Sequence, residues 1–148
     1  MKTENVQDYP TAARCEVFSG DLKVEHEGIT IAETKGGYRV IERHHPPTYY
    51  FPPEDVNIEF LSENAHRSFC EWKGVARYYD VTAIDLRSIN AAWVYSEPSR
   101  AFLDIKGYIS FYASKVDHCY VNGERVVPQP SDFYGGWVTH HLQGDFKR

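Results

Sequence analysis

Lys73 stands between Trp72 and Gly74, in a stretch from Phe69 to Val81 otherwise suited to burial. An amine buried there is expected to have a depressed pKa, which fits it for imine formation with a carbonyl compound or for holding an anion. The plainer reading is a lysine whose stem lies along apolar surface while its amine reaches solvent beside a bulge. Glu42 and Arg39 belong to the run Tyr38 to Arg43, where alternation sends them to opposite faces, so a regular strand cannot aim both at one ligand. Each also fits a structural ion pair. His45, just ahead of Pro46, is a candidate acid or base near neutral pH, set against simple packing of its loop. Cys70 shares a face with Trp72 and reads as an inert core thiol, since a nucleophile would need a neighbouring base.

Aromatic side chains are the other chemical resource. Tyr49, Tyr50, Trp93, Tyr112, Tyr134 and Trp137 suffice to line a pocket or stack on a planar ligand, and equally to build an ordinary β core. Tyr50 and Trp93 are favoured for ligand contact, because a proline-stiffened loop and a strand end are typical places for it. No metal is expected. Cys15, Cys70 and Cys119 are isolated in sequence, without a CxxC half-site, and the adjacent pairs His44-His45 and His140-His141 diverge on any strand. With no G-x-G-x-x-G, P-loop or Asp-x-Asp pair, no cofactor is expected either.

The elements that must position these residues follow from composition. The 148 residues carry 16 Lys plus Arg against 21 Asp plus Glu, a formal charge of −5 without like-charged blocks, which argues against nucleic acid as a partner. A chain of this length can bury roughly two-thirds of its unfolded surface in one core, so one domain is the default. No apolar run reaches the roughly 20 residues of a membrane helix, and Met1 to Pro10 is too polar for a signal peptide, so no membrane partner and a cytoplasmic location are expected. The 3 Trp, 11 Tyr and 8 Phe, with many Val and Ile, favour strands.

Residues 1–13 read as an N-terminal arm, laid over the domain or partly disordered, and residues 14–148 as a single β domain. Leu22 to Thr34 is a hairpin turning at Glu27-Gly28, and Tyr38 to Arg43 a third strand. From His44 to Asp55, Pro46, Pro47, Pro52 and Pro53 bracket Tyr49-Tyr50-Phe51 in a stiff loop with at most one short edge strand. Further strands are expected over Val56 to Leu61, over Phe69 to Val81 with a bulge at Gly74, ending at Ala92 to Tyr95, and over Tyr108 to Tyr112. Asn122-Gly123 turns a second hairpin within Cys119 to Val127. The tail Phe133-Tyr134-Gly135-Gly136-Trp137, with its flexible glycine pair, is expected to fold back over an apolar face.

Several of these pieces form a familiar series. Arg39-Val40-Ile41-Glu42, His45-Pro46-Pro47, Tyr49-Tyr50, Pro52 and Asp55-Val56 are followed by Cys70-Glu71-Trp72-Lys73-Gly74, Ala76 and Tyr78. Then come Ala92-Trp93, Tyr95, Pro98, Phe111-Tyr112, Val116-Asp117, Gly123-Glu124, Pro128-Gln129-Pro130, Phe133 to Trp137 and Thr139. In this order they resemble domain of unknown function family 427, from about Val17 to Phe146, although Gly144-Asp145-Phe146-Lys147 departs from a Gly-Pro-Phe-Lys pattern. The resemblance implies a compact β domain akin to the β-tent folds, sometimes labelled nucleotidyltransferase-like, with no established substrate. Neither nucleotidyl transfer nor the zinc site of many β-tents is carried over, since the acidic metal ligands and paired CxxC knuckles are missing. The resemblance does strengthen the pocket reading of Lys73.

The sequence thus reads as mainly β, a single compact antiparallel domain of two packed sheets or a partly open barrel, with little helix. Its expected function is to bind a small polar or anionic planar ligand through Lys73, Glu42, Arg39, Tyr50, Trp93, His45 and Tyr112. One alternative is an enzyme using Lys73 with Glu42 or His45 for imine or proton-transfer chemistry. Another is a protein-interaction module reading a partner through an exposed Pro-rich loop, His44 to Pro53. Oligomeric state is not written in the sequence.

Overall fold

Alternating apolar residues and two turn dipeptides organise much of the chain, and a computed structural model shows the result for all 148 residues. In chain order the strands begin with β1 (Glu4–Asn5), β2 (Arg14–Val17), β3 (Leu22–His26), β4 (Ile29–Thr34), β5 (Tyr38–Ile41), β6 (Thr48–Tyr50) and β7 (Leu61–Cys70). They continue with β8 (Gly74–Thr82), β9 (Arg87–Val94), β10 (Ile109–Phe111), β11 (His118–Val121), β12 (Glu124–Arg125), β13 (Val127–Pro128), β14 (Trp137–Val138) and β15 (Leu142–Gln143). Two sheets are four-stranded, in the orders β12-β11-β3-β4 and β10-β9-β8-β7, and a third is β2-β5-β6. Two short pairs complete the framework, β13-β14 antiparallel like the three larger sheets and β1-β15 parallel. No sheet closes into a barrel. No helix is long and apolar enough to cross a membrane.

Both hairpins turn where the dipeptides place them. Glu27 and Gly28 have φ of 51° and 75°, and Asn122 and Gly123 have 50° and 80°, the paired left-handed conformations of a type I′ turn. The proline loop contributes one short edge strand, β6, as its missing N–H groups dictate. It is not an exposed loop, however. Pro46, Pro47, Tyr49, Tyr50, Phe51 and Pro52 are all buried, because the tail folds over them and Trp137 N–H binds the Pro47 carbonyl at 2.8 Å.

Two expectations shift. Val56 to Leu61 is not a strand: Pro53–Asp55 and Ile58–Phe60 are 3-10 turns, and Val56 keeps only an isolated bridge to Ala32. The strand begins at Leu61, and its polar sequence lacks apolar alternation because β7 is a sheet edge with one flank free. Phe69 to Val81 is likewise not one bent strand. The chain reverses through Glu71-Trp72-Lys73, and Gly74, at φ 107°, supplies the left-handed residue that starts β8. Between β9 and β10 a 3-10 stretch over Arg100–Ile105 buries Phe102 and Ile105, and the strand expected over Tyr108 to Tyr112 is β10.

The sheet β10-β9-β8-β7 has a core on each face. Val81, Ala92, Val94, Ile109 and Phe111 join the main core, which includes Leu22, Ile31, Tyr49 and Trp137. The opposite face sends Ala76, Tyr78 and Trp93 into a smaller cluster with Val40, Tyr50, Tyr95, Phe102 and Ile105. A bridge between Phe51 and Ile109 ties β6 to β10. The N-terminal residues pack against this body through Val6 and Tyr9, which meet Ile41 and Leu142.

Candidate functional site

The smaller cluster is incomplete at one end, where the β7-β8 turn, the end of β5, the proline loop and the C-terminal tail leave a cavity of about 550 Å³. Its walls are largely rings. Tyr50 and Trp93 meet edge to face, centroids 6.3 Å apart at 88°, and Trp93 Nε1 donates to the Tyr50 hydroxyl at 3.3 Å. Tyr112 lies 4.7 Å from Trp93 between centroids and donates its hydroxyl to the Phe133 carbonyl at 2.9 Å, which ties the tail to the wall. Burial pushes the Tyr50, Tyr95 and Tyr112 phenols above their ordinary values, so all three are neutral hydrogen-bonding groups at physiological pH.

Lys73 enters this wall from the turn, half-buried, with Nζ 5.7 Å from the Tyr95 centroid and 5.9 Å from that of Phe102. Ring faces attract a cation at such distances. The expected depression of its pKa does not occur. Burial works against the charge, the polar groups of Tyr50, Cys70 and Glu42 around the amine favour it, and the balance lies above an ordinary lysine. Lys73 is therefore a persistent cation, a state that suits holding an anion and withholds the lone pair that imine formation needs. Glu42, just past β5, also lines the cavity, with the Trp72 indole N–H donating to its Oε2 at 3.4 Å.

His45 also lines the cavity, its ring edge-on to Tyr134 at 4.6 Å. Burial lowers its pKa, Lys147, Lys73 and His44 act in the same direction, and Glu42 opposes them. The imidazole is neutral at pH 7. Its Nδ1 lies 3.1 Å from Nε2 of Gln129, a buried residue of the tail.

The structure thus brings Lys73, Glu42, His45, Tyr50, Trp93 and Tyr112 to one cavity. Arg39 is not brought there. It faces the other side of β5, where Nη1 and Nη2 bind Glu4 at 2.8 and 2.9 Å and Nε binds Glu16 at 2.6 Å. Cys70 lines the cavity half-buried, whereas Cys119 is sealed in the main core, where burial pushes its thiol up. No three His, Cys, Asp or Glu side chains gather as a metal-binding group. Sequence reasoning missed Gln129, Tyr95 and Lys147 in the lining. Tyr95 had a signal, since it follows Trp93 by two positions; Gln129 had only its place between Pro128 and Pro130.

A family model described as a domain of unknown function (DUF427) matches residues 14–122. No curated protein matches the chain. The cavity draws on the matched residues and also on Gln129, Phe133, Tyr134, Gly135 and Lys147 beyond them.

Proposed function

The chain belongs to the DUF427 family, and we propose that it binds a small, flat organic anion in the ring-lined cavity, with Lys73 holding the charge. The observation that carries this reading is Lys73 itself: a cation without an ion-pair partner, set among aromatic side chains at the wall of a roughly 550 Å³ cavity. The volume suits a small molecule, and Tyr112 with the edge of Trp93 supplies flat apolar area for a ring, Trp93 being held by the fully buried Tyr50. Enzymatic use of Lys73 through an imine is the weaker reading, because its amine keeps its proton. The interaction-module reading lacks surface, since between His44 and Pro53 only those two residues are exposed.

The test is a thermal-shift and calorimetric screen of nucleotides, organic acids and aldehydes. A flat organic acid is expected to bind, and Lys73→Met to weaken it about tenfold, which is about 1.4 kcal/mol. A screen without a binder, or a binder indifferent to Lys73→Met, sinks the proposal.

A further inference from the structure

Gln129 is only 4% exposed, yet every polar atom of its side chain is engaged. Oε1 accepts the Gly136 N–H at 3.0 Å, while Nε2 donates to the Lys147 carbonyl at 2.7 Å and meets His45 Nδ1 at 3.1 Å. The two backbone partners fix which end of the amide is which, because an N–H can only donate and a carbonyl can only accept. Nε2 therefore presents its second hydrogen to His45, and Nδ1 must be the acceptor. A neutral imidazole that accepts at Nδ1 carries its proton on Nε2. A second proton on Nδ1 would point at the amide hydrogen, and burial opposes it too. His45 Nε2 has no protein partner and is not sealed from solvent, in a residue that lines the cavity.

We propose that His45 donates its Nε2–H to an oxygen acceptor on the cavity's ligand, with Gln129 as the positioning residue that fixes the tautomer. The proposal rests on reading the cavity as a ligand site, and it narrows the ligand class. A flat acid with an oxygen at this point fits, whereas a group that presents an N–H or ammonium there meets donor against donor. The acceptor end of the site is thereby set by the tail, through Gln129, Gly136 and Lys147, and the cation by the β7-β8 turn.

Long-range proton–nitrogen correlation spectra of histidine-labelled protein at neutral pH read the tautomer directly. Wild type is expected to show the proton on Nε2. Gln129→Glu, whose carboxylate can only accept, is expected to move it to Nδ1. Because that variant also loses the bond to the Lys147 carbonyl, His45→Phe provides a second route: it keeps a ring against Tyr134 and removes the donor. With 2-naphthoate as the probe, His45→Phe is expected to lower affinity about tenfold, the loss of one hydrogen bond to a charged group. An Nδ1–H tautomer in wild type, or undiminished 2-naphthoate affinity in His45→Phe, overturns the proposal. Lys73→Met separates the two readings. If it weakens 2-naphthoate while His45→Phe does not, the cavity reading stands and the His45 role falls; if neither variant does, both fall.

Discussion

Gly135 lies so close to the indole of Trp93 that a Cβ built on it would sit 2.6 Å from Cη2 and 3.1 Å from the Tyr112 ring. Its φ lies outside the left-handed region, so closeness rather than conformational freedom explains the glycine. The tail crosses two rings that meet at a tilt of 54° here and closes one side of the cavity. Gly135→Ala would force the tail or the indole to move, and overpacking of this kind costs about 1–3 kcal/mol. Urea unfolding followed by tryptophan fluorescence should show that loss, with weaker binding of any cavity ligand. Unchanged stability and binding would mean that the contact is looser than described.

The N-terminal residues are held by charge as well as by packing. Paired hydrogen bonds from Arg39 draw the Glu4 carboxyl down from 4.5 to about 2, against its partial burial and with help from the Tyr9 hydroxyl at 2.7 Å. A carboxyl lowered by folding stabilises the folded state above its unfolded pKa and loses that contribution as pH falls through the folded one. For Glu4 the window runs from 4.5 down to about 2. In Glu4→Gln the urea midpoint should fall less steeply across this window than in wild type. Parallel pH slopes for the two proteins would remove Glu4 from the account of acid sensitivity.

Asp80 plays a structural part in the sheet that carries Trp93. It is buried, and its Oδ1 accepts from the Asn64 side chain at 2.6 Å and from the Asn90 backbone N–H at 3.0 Å. The pairings of β7 with β8 and of β8 with β9 both slip register here, and Asn90 adopts φ 56°. One carboxylate thus satisfies the donors that the irregular ladders leave over. Asp80→Ala would orphan them at about 2–3 kcal/mol. A loss below about 0.5 kcal/mol in denaturant, the range of an ordinary surface substitution, would contradict this role.

What could be read from the sequence was local chemistry. Asn122-Gly123 and Glu27-Gly28 specify their own turns, because the backbone conformation belongs to the dipeptide itself. Tyr38, Val40 and Glu42 share a face by alternation, which accounts for Glu42 reaching the cavity and Arg39 turning from it. Leu61 to Cys70 was illegible for the complementary reason: an edge strand half in solvent needs no apolar period, so nothing in its composition marks it. Gln129 was illegible too. Its role depends on Gly136, Lys147 and His45 converging on one amide, a relation that pattern along the chain does not encode. Gly135 and Gly136 were legible as unusual but suggested flexibility, whereas Gly136 faces Pro46 and Gln129 at distances that exclude a side chain.

The charge state of Lys73 gives the most direct chemical prediction. Reductive methylation with formaldehyde and borohydride needs a neutral amine, so a lysine whose neighbours raise its pKa reacts slowly. Lys35, with 88% of its side chain exposed, serves as the internal reference. At neutral pH Lys73 should be labelled more slowly than Lys35, as read by peptide mass spectrometry. Restricted access would give the same ranking, so a second comparison is needed. Glu42 is among the groups that raise the Lys73 pKa, and Glu42→Gln removes its charge while nearly conserving its shape. If charge governs, Lys73 in Glu42→Gln reacts faster than in wild type while Lys35 is unchanged; if access governs, neither rate moves. Labelling of Lys73 ahead of Lys35 in wild type would instead reveal an amine ready for imine chemistry, and would return the enzyme reading to first place.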